Sequence, residues 1–216
     1  MRRNLISLFL IGITISANAQ QHKFIGGLLV NINGLEFNGN TAQFWNSSGS
    51  TTRIDGTLGF SAGLFVKREF SKNIYSTLEF RYINKGSIYE FISPYGTPAS
   101  ETLVLNYLEL PVLIGYKIKP GKRTLFLESG LAFAKLISSN INAGDLINRT
   151  GTPNADAFKT TDISWIGSLK FPLVQKCEKN FLFGLRVSRS IPAIHKYYKI
   201  YNFDYGIEFD YVFNNN

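Results

Sequence analysis

From Leu58 to Phe213 the chain alternates apolar and polar residues with a period of two, run after run, and helical periodicity is nearly absent. A period of two is the period of a β-strand, whose successive side chains point to opposite faces. Leu58, Phe60, Ala62, Leu64 and Val66 alternate with Gly59, Ser61, Gly63, Phe65 and Lys67. Leu78, Phe80 and Tyr82 alternate with Thr77, Glu79, Arg81 and Ile83. Leu108, Leu110, Val112, Ile114 and Tyr116 stand against Tyr107, Glu109, Pro111, Leu113, Gly115 and Lys117. The pattern recurs around Leu125–Ala134, Asp162–Phe171, Phe181–Ser188 and Phe203–Phe213. A further strand between Lys23 and Asn33, whose two faces both carry Gly and Leu, brings the expected number to eight.

The connections alternate in length. Turns near Ser71–Asn73, Pro120–Lys122 and Lys176–Asn180 are short. Those near Gly34–Gly56, Tyr89–Thr102, Ser139–Lys159 and Ser190–Ile200 are long and rich in Asn, Ser, Thr and Gly. Short turns at one end and long loops at the other are the habit of an outer-membrane barrel with its N-terminus on the periplasmic side. A soluble lipocalin-like barrel is the competing solution, with the apolar face inward. Segment length decides for the membrane, because the runs exceed the roughly 9–11 residues of a tilted transmembrane strand. The apolar face also carries Tyr82, Tyr116, Trp165, Tyr205, Tyr211 and Phe213 toward strand ends, where interfacial girdles belong. The expected fold is all-β, an eight-stranded antiparallel up-and-down transmembrane β-barrel.

With the apolar parity outward, the lumen receives Glu79, Arg81, Glu109, Glu128, Arg186 and Glu208 at mid-depth. Lys67, Lys85, Lys117, Lys170, Asp162, Asp204 and Asp210 fall nearer the mouths. An eight-stranded interior is just wide enough to be filled by side chains. The charges must then pair, since unpaired ions in a narrow, poorly hydrated space are costly. The expectation is a lumen charge network that closes the barrel, in preference to a conducting or ligand-binding channel. The mid-depth acids outnumber the arginines, a surplus that raised carboxyl pKa values or an inward-reaching lysine could settle, and the sequence does not choose between them. Pro111, which offers no N–H to a ladder, predicts a bulge or a missing ladder bond.

The N-terminal MRRNLISLFLIGITISANAQ has a basic start, an apolar core and the small-residue sequence Ala17-Asn18-Ala19. That is the layout of a secretory signal peptide cleaved after Ala19, leaving residues 20–216 as the barrel domain. Its core of about 11 apolar residues is too short to span a bilayer. The formal charge of +8 includes Arg2 and Arg3. The remaining surplus suits anionic outer-membrane lipid and lipopolysaccharide phosphates, and an exported chain leaves no role for nucleic acid. Cys177 is the single cysteine, so no intramolecular disulfide forms, and it is expected in a turn.

No cofactor or metal pattern emerges. The two histidines, His22 and His195, lack the spacing of a metal pair. His195 with Ser188 or Ser190 is the one set from which a lipid hydrolase could be assembled, and a solvated loop histidine is preferred. The asparagines of Asn46-Ser47-Ser48 and Asn148-Arg149-Thr150 match a glycosylation acceptor by chance. The stretch His195–Tyr201 mixes base and aromatic residues and could grip a partner or lipopolysaccharide phosphates, with an extension of the aromatic girdle the preferred reading.

GFSAGLFVKREFSKNIYSTLEFRYINKGS, YLELPVLIGYK and LFLESGLAFAKL together resemble the PorT-like outer-membrane β-barrel domain family. The most specific piece is Tyr107-Leu108-Glu109-Leu110-Pro111. The resemblance covers nearly all of the mature chain and implies an eight-stranded barrel in the outer membrane. The family's namesake takes part in type IX secretion, a role that a shared barrel does not by itself transfer. The reading is a non-enzymatic outer-membrane barrel with a structural or interaction role through its extracellular loops. The alternatives are a subunit of an envelope secretion or assembly complex, with other envelope proteins as partners, and an outer-membrane lipid hydrolase.

Overall fold

The computed structural model describes residues 24–39, 53–92, 98–120, 124–143, 157–173 and 181–213. Residues 1–19, Cys177 and both glycosylation-like triplets lie outside them. The described chain is almost entirely strand: β1 (Phe24–Gly39), β2 (Arg53–Asp55), β3 (Thr57–Glu69), β4 (Ile74–Ile92), β5 (Pro98–Ile118), β6 (Leu125–Ala143), β7 (Thr161–Pro172), β8 (Phe181–Ser190) and β9 (Ile200–Val212). Every pairing is antiparallel, and β1 pairs with both β3 and β9 while β4 pairs with β5, so the sheet closes on itself. Segments β2 and β3 both pair with β4 and form one interrupted stave, so nine segments make an eight-stranded barrel. Five residues lie between Asp55 and Ser61 where four lie between Ile83 and Ile88, which places a one-residue bulge at the interruption.

The register fixes the tilt. Starting at Gly26, the paired row runs through Val66, Leu78, Val112, Leu131, Trp165, Arg189 and Phe203 and re-enters β1 at Glu36. One circuit therefore climbs ten residues along the starting strand, from Gly26 to Glu36. With a rise of about 3.3 Å per residue and strands about 4.8 Å apart, that shear tilts the strands by roughly 40°. No described helix is long and apolar enough to cross a membrane; the strands do the crossing.

Alternation resolves into faces as the pattern demands. On β5, Leu108, Leu110, Val112, Ile114, Tyr116 and Ile118 are exposed while Tyr107, Glu109, Pro111, Leu113 and Gly115 are buried. The run from Leu108 to Ile118 spans about 33 Å of strand, hence about 25 Å of height at this tilt, the thickness of a membrane barrel's apolar band. In β1, whose facing the sequence left open, Leu29, Asn31, Asn33, Leu35 and Phe37 point inward and Leu28, Val30 and Ile32 outward.

Several strands outrun their expected bounds. Residues 89–102 read as a connection, yet β4 and β5 stay paired out to Ile92↔Pro98. Likewise β1 continues to Gly39 and β6 to Ala143. Ser, Thr and Gly lower the apolar contrast of these stretches, but a paired hairpin still satisfies their backbone groups. At Pro111 the register does not shift. The β4–β5 ladder skips Glu79 and Phe80, which lie opposite Pro111 and Leu110, and resumes in the same register at Arg81↔Glu109. On its other side Pro111 pairs with Ala132. The irregularity in this stretch lies at Asn106/Tyr107, where Ile137 is the extra residue on β6.

The charged lumen and its apolar cap

Three clusters of ions fill the barrel. Deepest toward the turn end, Lys170 Nζ lies 3.1 Å from Glu128 and 2.8 Å from Asp210 and also pairs with Glu208. Thr77 and Ser168 each donate to Glu128 at 3.1 Å. Lys67 Nζ stands 3.7 Å from the same carboxylate and 4.4 Å from the centroid of the Tyr75 ring. At mid-depth Arg186 grips Glu79 with both terminal nitrogens, at 3.1 and 2.8 Å, and gives a further bond to Glu208 at 2.7 Å. Strands β4 and β8 stand opposite each other in the ring, so the Arg186–Glu79 fork crosses the full lumen.

Nearer the loop end, Arg81 Nε donates to Glu109 at 2.6 Å, and Lys85 bridges Glu109 and Asp162 at 3.2 Å each. Ser190 and Asn202 donate to Asp162, Ser164 to Glu109, and Ser188 to Asp204 at 2.5 Å. All these ionisable residues are buried: seven carboxyl groups face Lys67, Arg81, Lys85, Lys170 and Arg186. The acids exceed the cations by one around Arg186 and by one around Lys85, where hydroxyl and amide groups also donate to the carboxyl groups. Three lysines reach inward. Lys117 stays at the turn-end mouth: half-buried there, it pairs with Glu69 at 2.6 Å, its Nζ 5.9 Å from the centroid of the Tyr75 ring.

The six mid-depth residues thus divide. Glu79, Arg186 and Glu208 meet in one cluster, Arg81 and Glu109 in a second, and Glu128 joins the lysines in a third. Alternation marks which residues turn inward but carries no register, so it cannot say which partners meet. On the β9–β1–β3 wall, Asn31, Asn33 and Ser61 are buried with no hydrogen bond from their side chains to another described group.

Above the ions the lumen turns apolar, which polar/apolar alternation did not foreshadow. Phe37, Ile83, Leu103, Leu105, Tyr107, Ala134, Phe158, Ile194 and Ile200 form one buried cluster. Two loop segments lie across the mouth and complete it. Phe158 bridges to His195, Lys159 N donates to Ile194 O at 2.7 Å, and Lys196 N donates to Ala157 O at 2.9 Å. His195 is not a solvated loop residue: its ring meets Phe158 edge-on at 5.2 Å, and its Nδ1 accepts from the N–H of Tyr197 and Tyr198 at 3.1 Å each. Burial, with Lys159 and Lys196 nearby, pushes its pKa down. Ser188 and Ser190 commit their hydroxyl protons to Asp204 and Asp162 inside the barrel. Of the rest of the His195–Tyr201 stretch, Lys196, Tyr197 and Lys199 are exposed, and Ile200 is buried in the cap. Among the described residues no group of His, Cys, Asp and Glu is arranged to hold a metal ion.

Comparison with known proteins adds the family. Residues 9–210 match the family described as outer membrane protein beta-barrel domain. No curated protein matches the chain. Among solved structures, the attachment invasion locus protein Ail of Yersinia pestis aligns over 88% of this chain and 99% of its own at 12% identity, TM-score 0.47. Neisserial surface protein A aligns over 90% of this chain and 100% of its own at 9% identity, TM-score 0.47. OprG from Pseudomonas aeruginosa aligns over 89% and 95% at 11% identity, TM-score 0.41. The family match spans most of the chain, and the closed, apolar-faced barrel agrees with it: this is a bacterial outer-membrane protein and a member of the outer membrane protein beta-barrel domain family.

Proposed function

We propose that the chain is a non-enzymatic outer-membrane barrel that acts through its outer surface and not through its lumen. One observation carries this reading: the Arg186–Glu79 fork crosses the lumen, beneath a buried apolar cap. A pore needs a continuous wetted path, and a catalytic site needs room for substrate; ion pairs spanning the lumen and the cap above it oppose both. The six lumen residues Glu79, Arg81, Glu109, Glu128, Arg186 and Glu208 then serve as internal ties between strands. In planar bilayers the purified barrel is expected to show no steady conductance. A stable open level in the wild-type protein would overturn the reading.

The outer strand extensions of β4, β5 and β6 offer a surface beyond the apolar band, which favours a role in contacts with other envelope proteins. The PorT-like resemblance points the same way, toward a subunit of a secretion or assembly complex. Detergent pull-down from native membranes separates a solitary barrel from such a subunit. The lipid-hydrolase alternative predicts changed lipid composition in His195→Ala cells. The proposed signal peptide, cleaved after Ala19, is tested by N-terminal sequencing of the mature protein.

A further inference from the structure

The outward face of the barrel is apolar over most of its height, and its outer rim between β6 and β9 departs from that. Lys135 and Arg189 are exposed there, and neither forms an ion pair among the described residues. Arg189 lies on the row that climbs from Gly26 to Glu36, two strands short of its upper end, which sets it near the top of the apolar band. A cation in that position, with hydrocarbon below and no ion pair to a carboxylate of the described residues, calls for an anion from the headgroup layer.

Aromatic residues neighbour Arg189 on both adjoining strands. Trp165 is its cross-strand partner on β7 and Phe203 its partner on β9, and Tyr201 lies with its ring centroid 5.9 Å from the guanidinium carbon. The Trp165 ring is held in place: Nε1 donates to Ser129 Oγ at 3.0 Å, and Ser129 Oγ donates to Ile166 O at 3.1 Å. The ring lies over Gly167, where a Cβ would come within 3.0 Å of it. The indole thus turns away from Arg189, toward Ser129 on β6 and the turn end, and offers an apolar lipid-facing surface below the row of the cation. Lys135 lies four residues beyond Leu131, the residue of β6 that shares Arg189's row. Two strands across and four residues along separate the backbone positions of Lys135 and Arg189 by about 16 Å. Two long side chains closing that gap suit a disaccharide headgroup with a phosphate at each end.

We propose that this face of β6–β9 is a site for a phosphorylated glycolipid of the outer leaflet, with Arg189 and Lys135 as phosphate ligands and Trp165 as an apolar contact for the acyl chains below them. The inference rests on the outer-membrane location and is independent of what the lumen does.

The test is native mass spectrometry of the full-length folded barrel in detergent, titrated with bis-phosphorylated, monophosphorylated and dephosphorylated lipid A, phosphatidylglycerol and inorganic phosphate. Bis-phosphorylated lipid A is expected to bind about tenfold or more tightly than the dephosphorylated form, as charge-assisted contacts would give. Arg189→Gln and Lys135→Gln should each remove most of that preference, and Trp165→Phe should weaken all lipid A forms alike. Arg68→Gln, at the opposite rim, should change nothing. The heat-shifted gel mobility of each variant verifies that the barrel is folded. A preference that survives Arg189→Gln, equal binding of phosphatidylglycerol, or full competition by free phosphate would each overturn the proposal.

Discussion

Glu109 is the charge that looks most out of place in an apolar run, and its surroundings account for it. It accepts from Arg81, Lys85 and Ser164 at once, all inside the barrel. Replacing it alone with Leu strands Arg81 and leaves Lys85 with Asp162 alone, and breaking a buried pair in this way costs about 3–5 kcal/mol. Replacing Arg81 with Met as well should return part of that loss, because the second change removes the stranded charge. Urea unfolding of Glu109→Leu, Arg81→Met and the double variant in lipid vesicles measures the coupling, and strictly additive losses would count against it. The alternation around Glu109 was legible in the sequence, as was the conflict between Pro111 and a regular ladder. The outcome at Pro111 was not. Whether the chain bulges or merely skips a rung depends on the neighbouring strand, and the ladder skips at Glu79 and Phe80 without losing register.

At the scale of elements, the outer cap has no precedent in the alternation pattern. Ile83, Leu105 and Tyr107 fall on the inward parity and were readable as luminal, but an inward apolar residue reads the same whether it faces ions or other apolar groups. The partners that complete the cap, Phe158 and Ile194, come from stretches outside the regular strands, so their position depends on contacts far apart in sequence. His195 ties these two stretches together and makes the cap sensitive to acid. Its ordinary pKa is about 6.5, and burial with Lys159 and Lys196 nearby lowers it in the folded state. A lowered histidine pKa favours the neutral ring, so its contribution to stability is complete above about pH 6.5 and declines as pH falls toward the folded value. Protonation at Nδ1 would also release the N–H groups of Tyr197 and Tyr198. Amide exchange at Ile194, Tyr197 and Tyr198, corrected for intrinsic rates, should therefore quicken below about pH 6.5. In His195→Asn that acid dependence should vanish; an unchanged profile would remove His195 from the account.

For the molecule as a whole, strand number and membrane-facing parity were readable because each follows from a local pattern. Tilt and pairing were not, because shear arises only when the ring closes. The closed ring sets Trp165 in the outer half of the apolar band, with its ring facing lipid. In a Trp45→Phe background, brominated lipids should therefore quench Trp165 most strongly when the bromines lie in the outer half of the acyl region. Strongest quenching near the periplasmic headgroups would contradict the assigned orientation.

The same shear makes the barrel a depth gauge. The row from Gly26 through Val66, Leu78, Val112, Leu131, Trp165, Arg189 and Phe203 rises steadily across the membrane, each residue on a new strand in the same kind of pairing, before it returns to β1 at Glu36. Eight steps over about 25 Å of height make each step about 3 Å. One guest side chain moved along this spiral would sample the bilayer at graded depths in comparable backbone settings. The resulting series of folding energies would trace the polarity profile of an outer membrane from its inner edge to its outer one.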